Sequence, residues 1–262
     1  MIVDFHTHSF SPRIAARALD NLHHNSGNVE PVYDGTPDAL RQYLRDCRAD
    51  YAVVMNIATN PAQQRKVNDF AIEENRDGLI CFGSVHPDAP DALDELHRIS
   101  EAGLRGIKLH PDYQNFFVDD ERMIPIYETA GKLSLIVCFH SGIDIGFYEP
   151  VHCTPQRLSR VLDAFSSPVV AAHMGAYQQW YDVEEYLVGK NVYFDTAFCY
   201  ACMPRGHAQK IIALHGAQRI LLGSDMPWCS TAHSIDFVRS LELSAVQEAA
   251  ILGGNAARLL GL

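Results

Sequence analysis

Ile2-Val3-Asp4-Phe5 runs directly into His6-Thr7-His8. Side chains alternate faces along a strand, so two imidazoles one residue apart point the same way. The figure recurs later in the chain. Leu135-Ile136-Val137-Cys138-Phe139 stops on His140, Val169-Val170-Ala171-Ala172 on His173, and Ile220-Leu221-Leu222-Gly223-Ser224 on Asp225. If these strands lie parallel in one sheet, their ends meet at one edge. Three or four imidazoles and one carboxylate meeting there would hold a divalent cation.

Working outward, short apolar runs at 2–6, 51–57, 79–84, 105–110, 134–140, 168–173, 191–195 and 218–224 predict eight strands. Helical patterns separate them. Thr36-Pro37-Asp38 reads as an N-cap with proline at the first helical position. Residues 61–75 carry Val67, Phe70 and Ala71 on one face, and 91–101 carry Leu93, Leu96 and Ile99. Further helices are predicted near 120–132, 155–165, 177–188, 205–215, 232–240 and 244–260. Continuous apolar strands alternating with helices imply a parallel sheet covered by helices. Eight repeats favour an α/β fold of the (β/α)8 TIM-barrel type, distorted, as a single domain over 1–262, since such a barrel needs about 250 residues. An open doubly wound sheet would bring a glycine-rich turn after an early strand, where this chain has His6-Thr7-His8-Ser9-Phe10. The polar segment 9–35, with His23, His24, Asn25, Ser26, Gly27 and Asn28, reads as a long loop or lid with a short helix from Arg13 to Leu22.

A lone histidine at a strand end is ordinarily a hydrogen-bonded, half-buried residue, and a lone Asp225 is an N-cap or turn residue. Four coincidences at the same end of four strands favour a cation site. Gly106-Ile107-Lys108-Leu109-His110-Pro111 adds Lys108 and His110 on one face. A lysine pointing into a barrel is costly unless paired, neutral or modified. Lys108 therefore reads as a partner for a substrate carboxylate, as a carboxylated ligand between two metals, or as the partner of an internal acid such as Asp4. His110 reads as a substrate contact.

Other signals are weaker. Cys199-Tyr200-Ala201-Cys202 is a single Cys-x-x-Cys and reads as packing in a pocket wall. Tyr177, Trp180, Phe198, Tyr200, Trp228 and Phe147 fall after strands, where they line a pocket or fill the core. His152, His207 and His233 are expected at the surface. Asp195, ending the seventh strand, is either a partner of a ligand or an ordinary strand-end acid.

The chain has 262 residues, with 32 acidic against 21 basic and a net charge of −11, which argues against nucleic acid or an anionic membrane as partner. No run of 18 apolar residues predicts a membrane span, and the N-terminus does not read as a signal peptide. Seven scattered cysteines predict reduced thiols and a cytoplasmic protein.

Taken together, Val3-Asp4-Phe5-His6-Thr7-His8, Gly106-Ile107-Lys108-Leu109-His110-Pro111, Phe139-His140-Ser141-Gly142, Ala172-His173-Met174-Gly175, Gly223-Ser224-Asp225-Met226-Pro227 and the closing Gly254-Asn255-Ala256-Ala257-Arg258-Leu259 resemble the amidohydrolase superfamily. The likeness is nearest to the amidohydrolase-related branch that includes aminocarboxymuconate-semialdehyde and resorcylate decarboxylases. It runs from residue 2 to 262. The resemblance implies a distorted barrel closed by the final helix. It implies His6, His8, His140 and Asp225 as ligands of one divalent metal, zinc first and manganese or iron as alternatives. His173 would orient water or ligate a second metal, which superfamily members often bridge with a modified lysine in the region of Lys108.

The expected activity is a metal-dependent hydrolysis of an amide, lactone or ester of a small substrate, with Asp225 and His173 as catalytic groups and Lys108 and His110 as substrate contacts. Two alternatives stand beside it. One is non-oxidative decarboxylation of a small unsaturated or aromatic acid, and the other is an inactive metal-binding or sensor barrel. The expected partner is a small molecule, with carboxylated ones among the candidates, and a homodimer is in keeping with the resembled branch.

Overall fold

Eight parallel strands form where the apolar runs predict them: β1 Val3–Thr7, β2 Tyr51–Met55, β3 Leu79–Phe82, β4 Gly106–Leu109, β5 Ile136–Phe139, β6 Val169–Ala171, β7 Tyr193–Asp195 and β8 Ile220–Leu221. They are seen in a computed structural model that describes residues 1–25, 29–147 and 149–262. Ser26, Gly27 and Asn28 of the loop read over 9–35 lie outside the described residues. Most strands are shorter than their apolar runs, because the ligand-type residues leave the ladder: His140 lies one residue past β5 and His173 two past β6.

The helices are α1 Ala15–Asn25, α2 Pro37–Cys47, α3 Gln64–Glu74, α4 Ala92–Glu101, α5 Ile124–Lys132, α6 Pro155–Val161, α7 Trp180–Tyr186, α8 Arg205–His215, α9 Thr231–Arg239, α10 Ala245–Ala249 and α11 Asn255–Leu260. Thr36 caps α2 as expected, its hydroxyl accepting from Ala39 N at 3.3 Å. α1 is longer than the Arg13–Leu22 reading. The single helix expected over 244–260 is broken by a π-helical turn over 250–254, where Gly253 lets the chain pass Met1: a Cβ there would lie 2.6 Å from Met1 O.

The ladders run β1-β2-β3 and β4-β5-β6-β7-β8. Backbone hydrogen bonds span the two gaps, from Lys108 N to Gly83 O at 2.8 Å and from Phe5 N to Leu222 O at 2.7 Å. The result is a distorted (β/α)8 TIM barrel. Its interior holds Val3, Phe5, Val53, Met55, Phe82, Ile136, Cys138, Val170 and Leu221. Ala256 and Leu260 of α11 join this cluster and plug the amino-terminal end. The outer faces of the strands pack on the helices through residues such as Val54, Ile107, Val137, Leu40, Leu96 and Tyr127.

Strict alternation cannot put Phe5, His6 and His8 all inside. A register shift solves the conflict: Asp4 pairs Ala52 but Thr7 pairs Val54, so three steps on β1 match two on β2. Val3 and Phe5 stay inside, His6 and His8 join them, and Asp4 faces outward. Asp4 there accepts from Thr231 Oγ1 at 2.6 Å and from Ser224 N at 3.0 Å. It is therefore not the partner of Lys108, which points inward from β4.

Two helix readings also change. In α3 the buried side is Gln64, Asn68 and Ala71, while Val67 and Phe70 are half-buried and line a cavity. In α4 Leu96 and Ile99 are buried but Leu93 is exposed.

Candidate metal centre

Every candidate ligand sits at the carboxyl ends of the strands, opening into a cavity of about 1120 Å³. Helix α1 covers one side of it with Ala18 and Leu22, and α3 another with Val67 and Phe70. The segment after β8 is laced to β1 by Asp225 N to His6 O at 2.8 Å and His8 N to Met226 O at 2.7 Å. Both Asp225 (φ 71°) and His173 (φ 61°) adopt left-handed backbone, costing of order 1–3 kcal/mol each, which the surrounding packing must hold.

Hydrogen bonds on one ring nitrogen define the other. His6 Nδ1 lies 2.8 Å from Asp195 Oδ2, His8 Nδ1 3.0 Å from Met55 O, and His173 Nδ1 3.0 Å from Ala197 O. These partners only accept, so each Nδ1 carries the proton and each Nε2 is a bare acceptor. His8 Nε2 then faces Asp225 Oδ1 at 3.1 Å and His6 Nε2 faces it at 3.5 Å. Acceptors gathered at such distances repel unless a cation lies among them. The spacing is that of neighbouring ligands about 2.0–2.2 Å from one ion. Two neutral imidazoles and a carboxylate are also the donor types of zinc, manganese and iron sites, so the residues present fit a divalent ion.

The electrostatics agree. Burial, helped by the charge of Lys108, holds His6 well below the ordinary imidazole value, keeping it neutral. Burial likewise holds His110 and His140 well below that value. For Asp225 burial pushes upward, but the surrounding imidazoles of His8, His6 and His173 outweigh it, so the carboxyl stays ionised. Burial pushes Asp195 up, partly offset by His173 and Lys108.

Of the expected residues, His6, His8 and Asp225 converge directly. Lys108 joins them, 1% exposed, donating from Nζ to His6 Nε2 at 3.3 Å. His173 and His140 stand beside the trio, His173 Nε2 3.1 Å from His140 Nδ1. Among the described residues no hydrogen bond or ion pair joins His140 to Asp225. His140 instead stacks on His110 with ring centroids 4.1 Å apart. His110 packs on its other face against Tyr113 and points Nε2 at Asp144 Oδ2, 3.3 Å away.

Sequence reading missed Asp144, which lies on the cavity wall in a loop without a motif; its only signal is the four-residue spacing from His140. Asp195 proves to hold His6 and, through backbone bonds, His173 and Ala197. Tyr177, Phe198 and Trp228 line the cavity. Trp180 lies behind it, its indole donating to His173 O at 3.1 Å, while Phe147 and Tyr200 are exposed. Cys199 and Cys202 carry free thiols and sit outside the cavity lining. His233 is exposed as expected, but His152 and His207 are half-buried, His152 hydrogen-bonded to Asp112 at 2.7 Å and His207 at ion-pair distance, 2.7 Å, from Glu184. No helix among the described residues is long and apolar enough to cross a membrane.

A family profile described as Amidohydrolase matches residues 3–262. An uncharacterized TIM-barrel protein from Bordetella bronchiseptica superposes with a TM-score of 0.75 at 20% identity, covering 99% of this chain and 98% of its own. The 5-carboxyvanillate decarboxylase of Sphingomonas paucimobilis gives 0.74 at 18% identity, covering 100% and 99%. A dihydroxybenzoic acid decarboxylase from a Polaromonas species, with bound manganese and the inhibitor 2-nitroresorcinol, gives 0.75 at 15% identity, covering 100% and 97%. No curated protein matches the sequence.

Proposed function

The chain belongs to the amidohydrolase family, and on that premise we propose that it is a metal-dependent decarboxylase acting without oxidation on a small aromatic or unsaturated carboxylic acid. The observation that carries this reading is Lys108. It is a cation buried at the floor of the cavity, and among the described residues no carboxylate lies within ion-pair distance of it. An unpaired buried ammonium is costly, and a substrate carboxylate would complete it. The likeness in fold to two decarboxylases supports the same choice.

In this reading His6, His8 and Asp225 hold the divalent ion, with His140 as the further donor. When bound, the ion supplies Lewis acidity that stabilises negative charge developing on the substrate. Lys108 orients the departing carboxylate. Asp225 or His173, both at the same mouth, relays to that carbon a proton taken up from solvent, while the carboxylate leaves as CO₂. The apolar walls given by Phe198, Ile143 and Trp228 accept the unsaturated body and keep water from competing for that carbon. His110 contacts the substrate from the opposite wall.

Hydrolysis of an amide, lactone or ester is the second reading, favoured by the family's description. The two part on the fate of the substrate. Incubation of metal-loaded protein with 2,6-dihydroxybenzoate, 5-carboxyvanillate and related acids in deuterium oxide should release CO₂ and leave deuterium on the product carbon. Turnover of amides or lactones, with every carboxylic acid untouched, would reject decarboxylation in favour of hydrolysis.

A further inference from the structure

We propose, resting on the reading of the site as one for carboxylic acids, that the substrate is extended. Beyond the reacting carboxylate at Lys108 it carries an apolar arm that lies between α1 and α3 and ends in a second anionic group, held by Arg13, Arg17 and Lys66. The cavity is larger than the metal centre needs. Its volume of about 1120 Å³ exceeds the roughly 300–1,000 Å³ that drug-sized ligands fill, and a single-ring acid is smaller still. The cavity that holds His6, Lys108 and Asp225 continues outward to Arg13 and Arg17 on one wall and Lys66 on the other.

The walls of this extension suit an apolar body. α1 buries Ala15 and Leu19, while the neighbouring row, Ala18 and Leu22, lines the cavity. α3 likewise buries Asn68 and Ala71 and turns Val67 and Phe70 to the cavity. These four lining side chains are only half-buried, so an apolar segment laid between them would remove further apolar surface from water.

The rim selects the end of the arm. Three acids of α3 also border the cavity, Asp69, Glu73 and Glu74. Two of them are already neutralised from outside it: Asp69 accepts from Arg98 at 2.8 Å and Glu74 from Arg41 at 2.6 Å. Among the described residues no carboxylate lies within ion-pair distance of Arg13, Arg17 or Lys66. Three uncompensated cations against Glu73 give the outer rim a positive surplus in a chain of net charge −11. Like charges so gathered repel one another, and an anion held among them relieves the repulsion. Two guanidiniums and an ammonium supply the charge-assisted donors that a carboxylate or phosphonate end would accept from.

Binding to the metal-loaded protein tests this without requiring turnover. Isothermal titration calorimetry compares 2-hydroxybenzoate, its 4-alkyl derivatives of increasing length, and the same chains ended by a carboxylate or a phosphonate. Affinity should rise about three- to fourfold for each methylene that enters the groove. At the length that reaches the rim, a charged end should add about tenfold at low salt and lose most of that gain at high salt. In a variant carrying Arg13→Gln, Arg17→Gln and Lys66→Gln, charged and uncharged ends should bind alike. Val67→Asp, which sets a charge in the groove wall, should abolish the gain from the methylenes, with circular dichroism confirming that each variant is folded. Charged ends that never outbind their methyl-ended counterparts, or an advantage that survives the triple variant, overturn the proposal. CO₂ released from short acids with no gain from any arm overturns the arm and keeps the reaction. Groove binding with no CO₂ from any acid leaves the arm assigned while the proposed reaction fails.

Discussion

Asp195 grips His6 from behind. Its Oδ2 takes the Nδ1 proton of His6 at 2.8 Å, while its Oδ1 accepts from the backbone N–H of His173 at 2.9 Å and of Ala197 at 3.0 Å. One carboxylate at the end of β7 thereby sets the ring of a β1 histidine and the main chain that presents a second one. Asp195→Ala should weaken metal affinity about 10–100-fold, because the His6 ring loses its tautomer and its aim. Chelator competition measures this, and an unchanged affinity would refute the role.

His8 is only partly buried and hangs from the rim, its Nδ1 tied to Met55 O. His8→Ala should therefore remove the metal bound with Asp225, and activity with it, while the barrel stays folded. Metal analysis beside circular dichroism checks it; full metal occupancy in the variant is the contrary result.

Gly223 faces inward beneath the centre. A Cβ there would stand 3.0 Å from His6 Cβ and 3.3 Å from Asp195 Cβ. Gly223→Ala should cost about 1–3 kcal/mol through overpacking and also lower metal affinity by displacing His6. A thermal melt and a metal titration read the two effects separately.

Lys108→Met keeps the bulk of the buried stem and removes the charge. On whichever carboxylic acid proves to be the substrate, kcat/KM should fall by about 100-fold or more with metal content unchanged. Unchanged kinetics would disconnect the lysine from the substrate.

His215 tests the fold away from the site. It is 3% exposed, stacked on Phe194, with Nε2 donating to Val192 O at 2.8 Å and Nδ1 accepting from Gly189 N at 3.1 Å. Burial lowers its pKa from 6.5 to about 4, so the folded ring stays neutral where the unfolded one takes up a proton. Its contribution is thus fully present above pH 6.5 and is lost as pH falls toward 4, up to about 3 kcal/mol. Urea melts across that range should show a flatter pH profile for His215→Gln than for the wild type.

Much of this was legible in the chain. Eight apolar runs and their helical spacers suffice for the barrel, because burial on both faces leaves a continuous hydrophobic signature. The strand-terminal residues His6, His8 and Asp225 were legible because their position at the end of a run implies a shared edge. Asp144 was not, since a loop acid gains meaning only from the two rings that lean on it. The faces of α3 were misread for a related reason. Val67 and Phe70 look like core but border a cavity, while Asn68 is buried because Ser84 O and Glu95 Oε1 each accept from its amide at 2.8 Å.

From the order of residues alone follow the parallel barrel, the end of it that carries the chemistry, and the donor types gathered there, since each depends on local periodicity. Which face each donor takes was decided only in three dimensions. The register shift between Asp4 and Thr7 turns His6 and His8 inward while Phe5 stays inside, and alternation along an isolated strand cannot foresee it. The proton positions on the histidines were likewise settled by carbonyls and carboxylates far away in the chain, such as Met55, Asp195 and Ala197, because a ring nitrogen's role depends on what the fold sets against it.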